Sequence, residues 1–149
     1  MKRLTVIVVL AVLVTAVATA DVFDWTRDLD AALERAEEED KTVFLYFAGT
    51  DWCGWCHRLM EEVLHTSPFE EYAAEAMVPV LIDFPREGEQ SAEIRARNNE
   101  LAKRYEITGF PTVLLLTPEE EVILRTGYLP GGPANYIGRL RSAINGYDG

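Results

Sequence analysis

A chain of 149 residues with 25 acidic and 14 basic side chains carries a formal charge of −11. That length suits one domain able to bury a real core, and that charge repels nucleic acid and anionic lipid, so no nucleic-acid partner is expected. Only two residues are cysteine, which allows one internal disulfide at most.

The chain opens Met1-Lys2-Arg3, runs apolar from Leu4 to Val17 and reaches Ala18-Thr19-Ala20 before Asp21. A basic start, an apolar stretch and a small-x-small end describe a secretory signal peptide over residues 1–20. An uncleaved anchor is the alternative, but the stretch is marginal against the about 20 apolar residues of a span. The alanine-rich end favours cleavage after Ala20. The expected product is one exported domain, 21–149, periplasmic or secreted, monomeric and without a stable membrane span. Disulfides persist in such a compartment.

Leu29, Ala32, Leu33 and Ala36 form the i, i+3, i+4, i+7 stripe of an amphipathic helix, with Asp28 as its cap and the acidic run 37–40 as its exit. Trp25 is expected as a core anchor just ahead of it. Residues 43–47, Val-Phe-Leu-Tyr-Phe, are β-branched and aromatic without interruption, as in a strand buried on both faces. A turn over 48–51 then leads into a helix that carries both cysteines and extends to about Val63. Ser67, Pro68 and Glu70 give a second helix start, with Ser67 as cap, running to about Ala76.

Residues 77–84 predict another buried strand, with Pro79 near its beginning. A loop over 85–90 leads to a helix over 91–105, striped by Ile94, Leu101 and Tyr105 and weakened by Asn98-Asn99. A strand over 112–116, a turn at Thr117-Pro118 and a strand over 122–126 form a hairpin. A Gly/Pro loop over 127–133 precedes a last helix from Ala134 to about Ile144. The early strands, separated by helices, are expected to pair in parallel, whereas the final hairpin is antiparallel.

The chemistry lies in Asp51-Trp52-Cys53-Gly54-Trp55-Cys56-His57-Arg58. A disulfide closing so short a loop constrains the unfolded chain little, so the pair is a poor staple and a better reactive group. Unpaired N–H groups and the macrodipole at a helix start favour an anion. A thiolate there can have its pKa lowered from about 8.5 to about 3.5–7.5. Cys53, nearest the tip, is then the nucleophile toward a substrate disulfide, and Cys56, one turn inside, the resolving thiol. Trp52 packs beside the site and Trp55 offers apolar surface to a partner. Asp51 can oppose a thiolate, while His57 and Arg58 can favour it.

The apolar run 43–47, the motif Trp52-Cys53-Gly54-Trp55-Cys56 and the later Gly109-Phe110-Pro111-Thr112 before a hairpin together resemble the thioredoxin superfamily. More narrowly, they resemble its exported domains of the disulfide-relay type, which split the helix after the motif. The resemblance covers residues 22–145. It implies an α/β, three-layer fold with a central mixed β-sheet flanked by helices, and a thiol–disulfide oxidoreductase without metal or cofactor. Protein thiols, protein disulfides and a redox partner protein are its expected partners, with a lean toward reductase or electron relay. It also implies a cis Pro111 against the disulfide, which would present the Phe110 backbone to an extended substrate. One departure stands out: the buried aspartate usual on the strand before the motif falls here at Tyr46. Proton transfer is left to a water, His57 or a nearby acid.

Three other readings compete. Cys53-Gly54-Trp55-Cys56-His57 matches the c-type haem pattern Cys-x-x-Cys-His, but it lies between a buried strand and a helix, and Trp55 is bulky for an attached porphyrin. Cys53, Cys56, His57 and His65 are four candidate zinc ligands, but His57 adjoins Cys56 and tetrahedral closure is disfavoured. The third is a thioredoxin-fold binding or chaperone module whose cysteines matter little.

Overall fold

A computed structural model describes residues 24–147. The expected signal peptide, 1–20, lies outside the described residues. From there the element order matches the sequence pattern. Helix α1 (Leu29–Glu39) is capped by Asp28, whose Oδ1 accepts the Ala31 N–H at 3.2 Å. Strand β1 (Thr42–Ala48) follows, then α2 (Gly54–Leu59), a π turn (Met60–Leu64) and α3 (Ser67–Ala76). Strand β2 (Met77–Asp83), helix α4 (Ala92–Arg104), the hairpin β3 (Thr112–Leu116) and β4 (Val122–Thr126), and helix α5 (Gly132–Asn145) complete the chain.

The sheet runs β2-β1-β3-β4. Strand β1 pairs with β2 in parallel and with β3 antiparallel, so the sheet is mixed, as the sequence predicts. Strand β1, buried from Val43 to Ala48, sits in the middle because it can bury both faces. Phe44, Tyr46 and Ala48 face the layer formed by α2, the π turn, α3 and α5, while Val43, Leu45 and Phe47 face α1 and α4. Pro79 lies on the outer strand, where its missing N–H costs no ladder bond, and its carbonyl accepts the Thr26 N–H at 3.0 Å. Trp25 is half-buried, its ring 5.9 Å from both Phe44 and Tyr46.

Three local expectations are corrected. The helix bearing the cysteines does not run unbroken to Val63, because five residues after Leu59 form a π turn. Thr66, not Ser67, is the cap residue of α3; its hydroxyl turns back to the Val63 carbonyl at 2.6 Å, and Ser67 and Pro68 lie in the first turn. Ile94 is exposed rather than part of the stripe, whereas Leu101, Tyr105 and Asn98 are buried. No helix among the described residues is long and apolar enough to cross a membrane.

Candidate active site

The end of β1 and the following turn deliver the cysteines. The Gly49 carbonyl accepts the N–H groups of Trp52 at 3.2 Å and Cys53 at 2.9 Å, which tightens the turn into the start of α2. Cys53 occupies the N-cap position in extended backbone, and its sulfur accepts the Cys56 N–H at 3.2 Å. The two cysteines are joined in a disulfide, with Cα atoms 5.2 Å apart. Cys53 is 6% exposed and Cys56 1%, so Cys53 is the more accessible residue, by a narrow margin. The Phe110–Pro111 peptide is cis.

Beneath the disulfide, Tyr46 is fully buried and its hydroxyl donates weakly to the Cys56 carbonyl at 3.4 Å. Burial, and secondarily the Asp83 charge, hold this phenol far above its usual range. It therefore stays neutral and is no proton acceptor. The carboxylate missing from β1 appears one strand away. Asp83 pairs in register with Ala48, so it points to the same sheet face as Tyr46. It is 7% exposed, and its two oxygens accept the Thr50 N–H at 3.0 Å and the Thr50 hydroxyl at 2.8 Å. The Asp83 carbonyl is in turn held by Asn98 at 2.9 Å and Gln90 at 3.1 Å. His57, exposed, reaches back to the Thr50 carbonyl at 2.6 Å. Because a carbonyl only accepts, Nε2 carries the proton in this contact. His57 thus braces the turn instead of standing free beside the sulfur.

Two aromatic rims border the site. On one, Trp52 donates from Nε1 to the Phe84 carbonyl at 2.8 Å and meets Phe110 edge to face at 5.8 Å. The Arg86 guanidinium lies 3.7 Å above the Trp52 ring. Gly49 is needed here, because a Cβ at that position would come within 2.4 Å of the Trp52 indole. Asp51 accepts the backbone N–H groups of Glu87 and Arg86, which lower its pKa. It thereby ties the loop after β2 to the active-site turn, a different task from opposing a thiolate.

On the other rim, Trp55 is 55% exposed and lies 5.2 Å from the Tyr128 ring. Arg58 stacks on both rings, at 5.2 and 5.1 Å, and its guanidinium donates to Glu62 Oε1 at 3.0 and 2.8 Å. Glu62 also accepts the Tyr128 hydroxyl at 2.6 Å. Arg58 is therefore neutralised within the rim. Gly127 lies beside the Pro111 carbonyl, where a Cβ would come within 2.8 Å of that oxygen. Gly54 has open space around it.

The structure gathers Tyr46, Asp51, Trp52, Cys53, Trp55, Cys56, His57 and Arg58 on β1, its turn and α2, with Phe110 packed against Trp52 and Pro111 following it through the cis peptide. His65 instead ends the π turn, exposed, its N–H bonded to the Met60 carbonyl. Among the described residues no group of three or more His, Cys, Asp or Glu is arranged to hold a metal. Sequence reasoning missed Thr50, Glu62, Asp83, Arg86 and Tyr128. Asp83 alone had a signal, as an acid ending an otherwise apolar strand.

The thioredoxin-like domain family matches residues 29–140. The chain is 36% identical over 113 residues to the disulfide bond reductase DsbH of Chlamydia pneumoniae, covering 76% of this chain and 68% of that protein. It is 30% identical over 108 residues to the thioredoxin-related protein DsbJ of the same organism, where it covers 72% of this chain but only 31% of the relative. A solved structure of a DsbH oxidoreductase superposes with a TM-score of 0.79 at 32% identity, covering 93% of this chain and 95% of that one.

Proposed function

The chain belongs to the thioredoxin-like family and is a thiol–disulfide oxidoreductase; from that premise we propose that Cys53 attacks and Cys56 resolves in the reduction of protein disulfides outside the cytoplasm. The observation that carries the reading is the Cys53 sulfur at the N-cap of α2, already accepting the Cys56 N–H. That donor needs no rearrangement when the sulfur becomes a thiolate, and it favours the charged form.

The reduced Cys53 thiolate attacks one sulfur of a substrate disulfide. A protein–substrate disulfide forms, and the other substrate sulfur leaves as a thiolate that takes a proton. Cys56, deprotonated, then attacks the Cys53 sulfur and expels the second substrate sulfur. Two electrons pass to the substrate, and the Cys53–Cys56 bond remains. With no further cysteine in the chain, electrons return through a redox partner protein. Tyr46, held neutral, cannot take the Cys56 proton. Asp83 orders the turn through Thr50. Trp52, Phe110 and Pro111 shape the face that receives the substrate. The direction is supported by the similarity to DsbH, a disulfide bond reductase, and export by residues 1–20.

The test is insulin reduction together with a redox titration against glutathione. Cys53→Ser abolishes turnover, and Cys56→Ser accumulates a mixed disulfide that dithiothreitol releases. A potential near about −270 mV supports the reductase direction; one near about −120 mV reverses it.

A further inference from the structure

Two arginines sit on aromatic rings beside the disulfide, and they differ in one respect. Arg58, on Trp55 and Tyr128, is completed by Glu62, whose carboxylate oxygen meets its guanidinium through two N–H groups. Arg86, 3.7 Å above Trp52, makes no ion pair and no side-chain hydrogen bond among the described residues. Neighbouring carboxylates do not serve it: Asp51 takes the backbone N–H groups of Arg86 and Glu87, and Glu87 and Glu89 form no ion pair with it. A guanidinium stacked flat on a ring keeps its N–H edge free for a planar carboxylate.

We propose that Arg86 reads the partner: it takes the carboxylate of an acidic residue beside the cysteine of the substrate polypeptide. The inference rests on the reading that Cys53–Cys56 exchanges with protein disulfides. Position supports it, since Trp52 adjoins Cys53 and its ring packs on Phe110, the residue before Pro111. A segment lying across Cys53 and Phe110 passes the ring on which Arg86 is seated.

Preorganisation supports it as well. The Arg86 backbone is tied to Asp51, its side chain rests on Trp52, and Trp52 is fixed by the Phe84 carbonyl. Little side-chain freedom then remains to be lost on binding. The charge of −11 over the whole chain does not cancel the contact, because screening confines distant charges to about 8 Å at physiological salt. Charge complementarity here is local, between one unpaired cation and one carboxylate. The opposite rim, neutralised by Glu62, offers aromatic surface without a free charge.

The experiment uses disulfide-linked dimers of one short peptide whose residues flanking cysteine are Glu, Gln or Lys. Reduction by the full reduced protein is followed through tryptophan fluorescence. Each rate is divided by that of dithiothreitol on the same peptide, which removes the effect of flanking charge on the peptide's own sulfur. The expected order is Glu, then Gln, then Lys, with about a three- to fivefold advantage of Glu over Gln, the span of a well-formed exposed ion pair. The advantage shrinks at high salt. Arg86→Gln brings the Glu/Gln ratio to about one, and Arg86→Lys retains part of it. No charge order in the wild type overturns the proposal. So does a ratio that persists in Arg86→Gln while all rates fall together, which assigns Arg86 to the cysteine rather than to the partner. If the wild-type protein reduces none of the peptides, the functional reading itself fails, and the proposal with it.

Discussion

Asp51 adjoins Trp52 in the sequence, yet its carboxylate caps the Glu87 and Arg86 N–H groups. Those bonds, Glu87's first, lower its pKa from 3.8 in the folded protein. A group whose folded pKa lies below its unfolded value stabilises fully above the unfolded pKa and loses that contribution as pH falls through the folded value. The loop over 85–88 is therefore expected to open as pH drops below about 4, the ordinary carboxylate range. Amide-exchange protection factors at Arg86 and Glu87 should fall there and stay low at neutral pH in Asp51→Asn. Unchanged protection in that variant would remove Asp51 from this task. The same residue-scale contrast applies to Tyr46. Its type is visible in the sequence, but its neutrality follows from burial and from Asp83 on the adjacent strand.

Among the elements, the π turn Met60–Leu64 and the loop after β4 build the second rim together. Arg58 on α2 reaches Glu62 in the π turn, and Glu62 reaches Tyr128 beyond β4. Widened turns of this kind recur at functional sites, and here one places a carboxylate where two chain segments meet. Gly127 makes the loop's approach to Pro111 possible, because a Cβ would lie 2.8 Å from the Pro111 carbonyl oxygen, backbone that cannot swing aside. Gly127→Ala is expected to cost about 1–3 kcal/mol, as overpacking does, and to slow disulfide exchange by displacing the Pro111 segment. Urea denaturation and insulin reduction read the two effects separately. Wild-type values in both would show that the loop yields.

The molecule as a whole depends on β1, which is central in the sheet and forms one wall of the site at its end. Phe44 is fully buried between Trp25 and Phe69, with ring centroids at 5.9 and 5.5 Å. Phe44→Ala should cost about 3–5 kcal/mol, a large part of a typical total of about 5–15 kcal/mol. Phe44→Leu, closer in volume, should cost less. The urea midpoints of the two variants, against wild type, measure the difference. Equal midpoints would mean that the core collapses around the cavity.

Sequence alone determined the element order, the central strand and the cysteine pair at a helix start. Each depends on local signals: unbroken apolarity over 43–47, the stripe from Leu29 to Ala36, and Cys-x-x-Cys after a strand. Pairing across the sheet is a nonlocal matter, and only the tertiary structure decided it. Parallel register sets Asp83 beside Ala48 and so returns to the site a carboxylate that β1 lacks. Loop closure sets Arg86 over Trp52 and Tyr128 beside Trp55. No periodicity marks these residues, because their neighbours in space are 34 and 73 positions away in the chain. The sulfur chemistry follows from the motif, whereas the surface offered to a partner follows from the packing of distant segments around it.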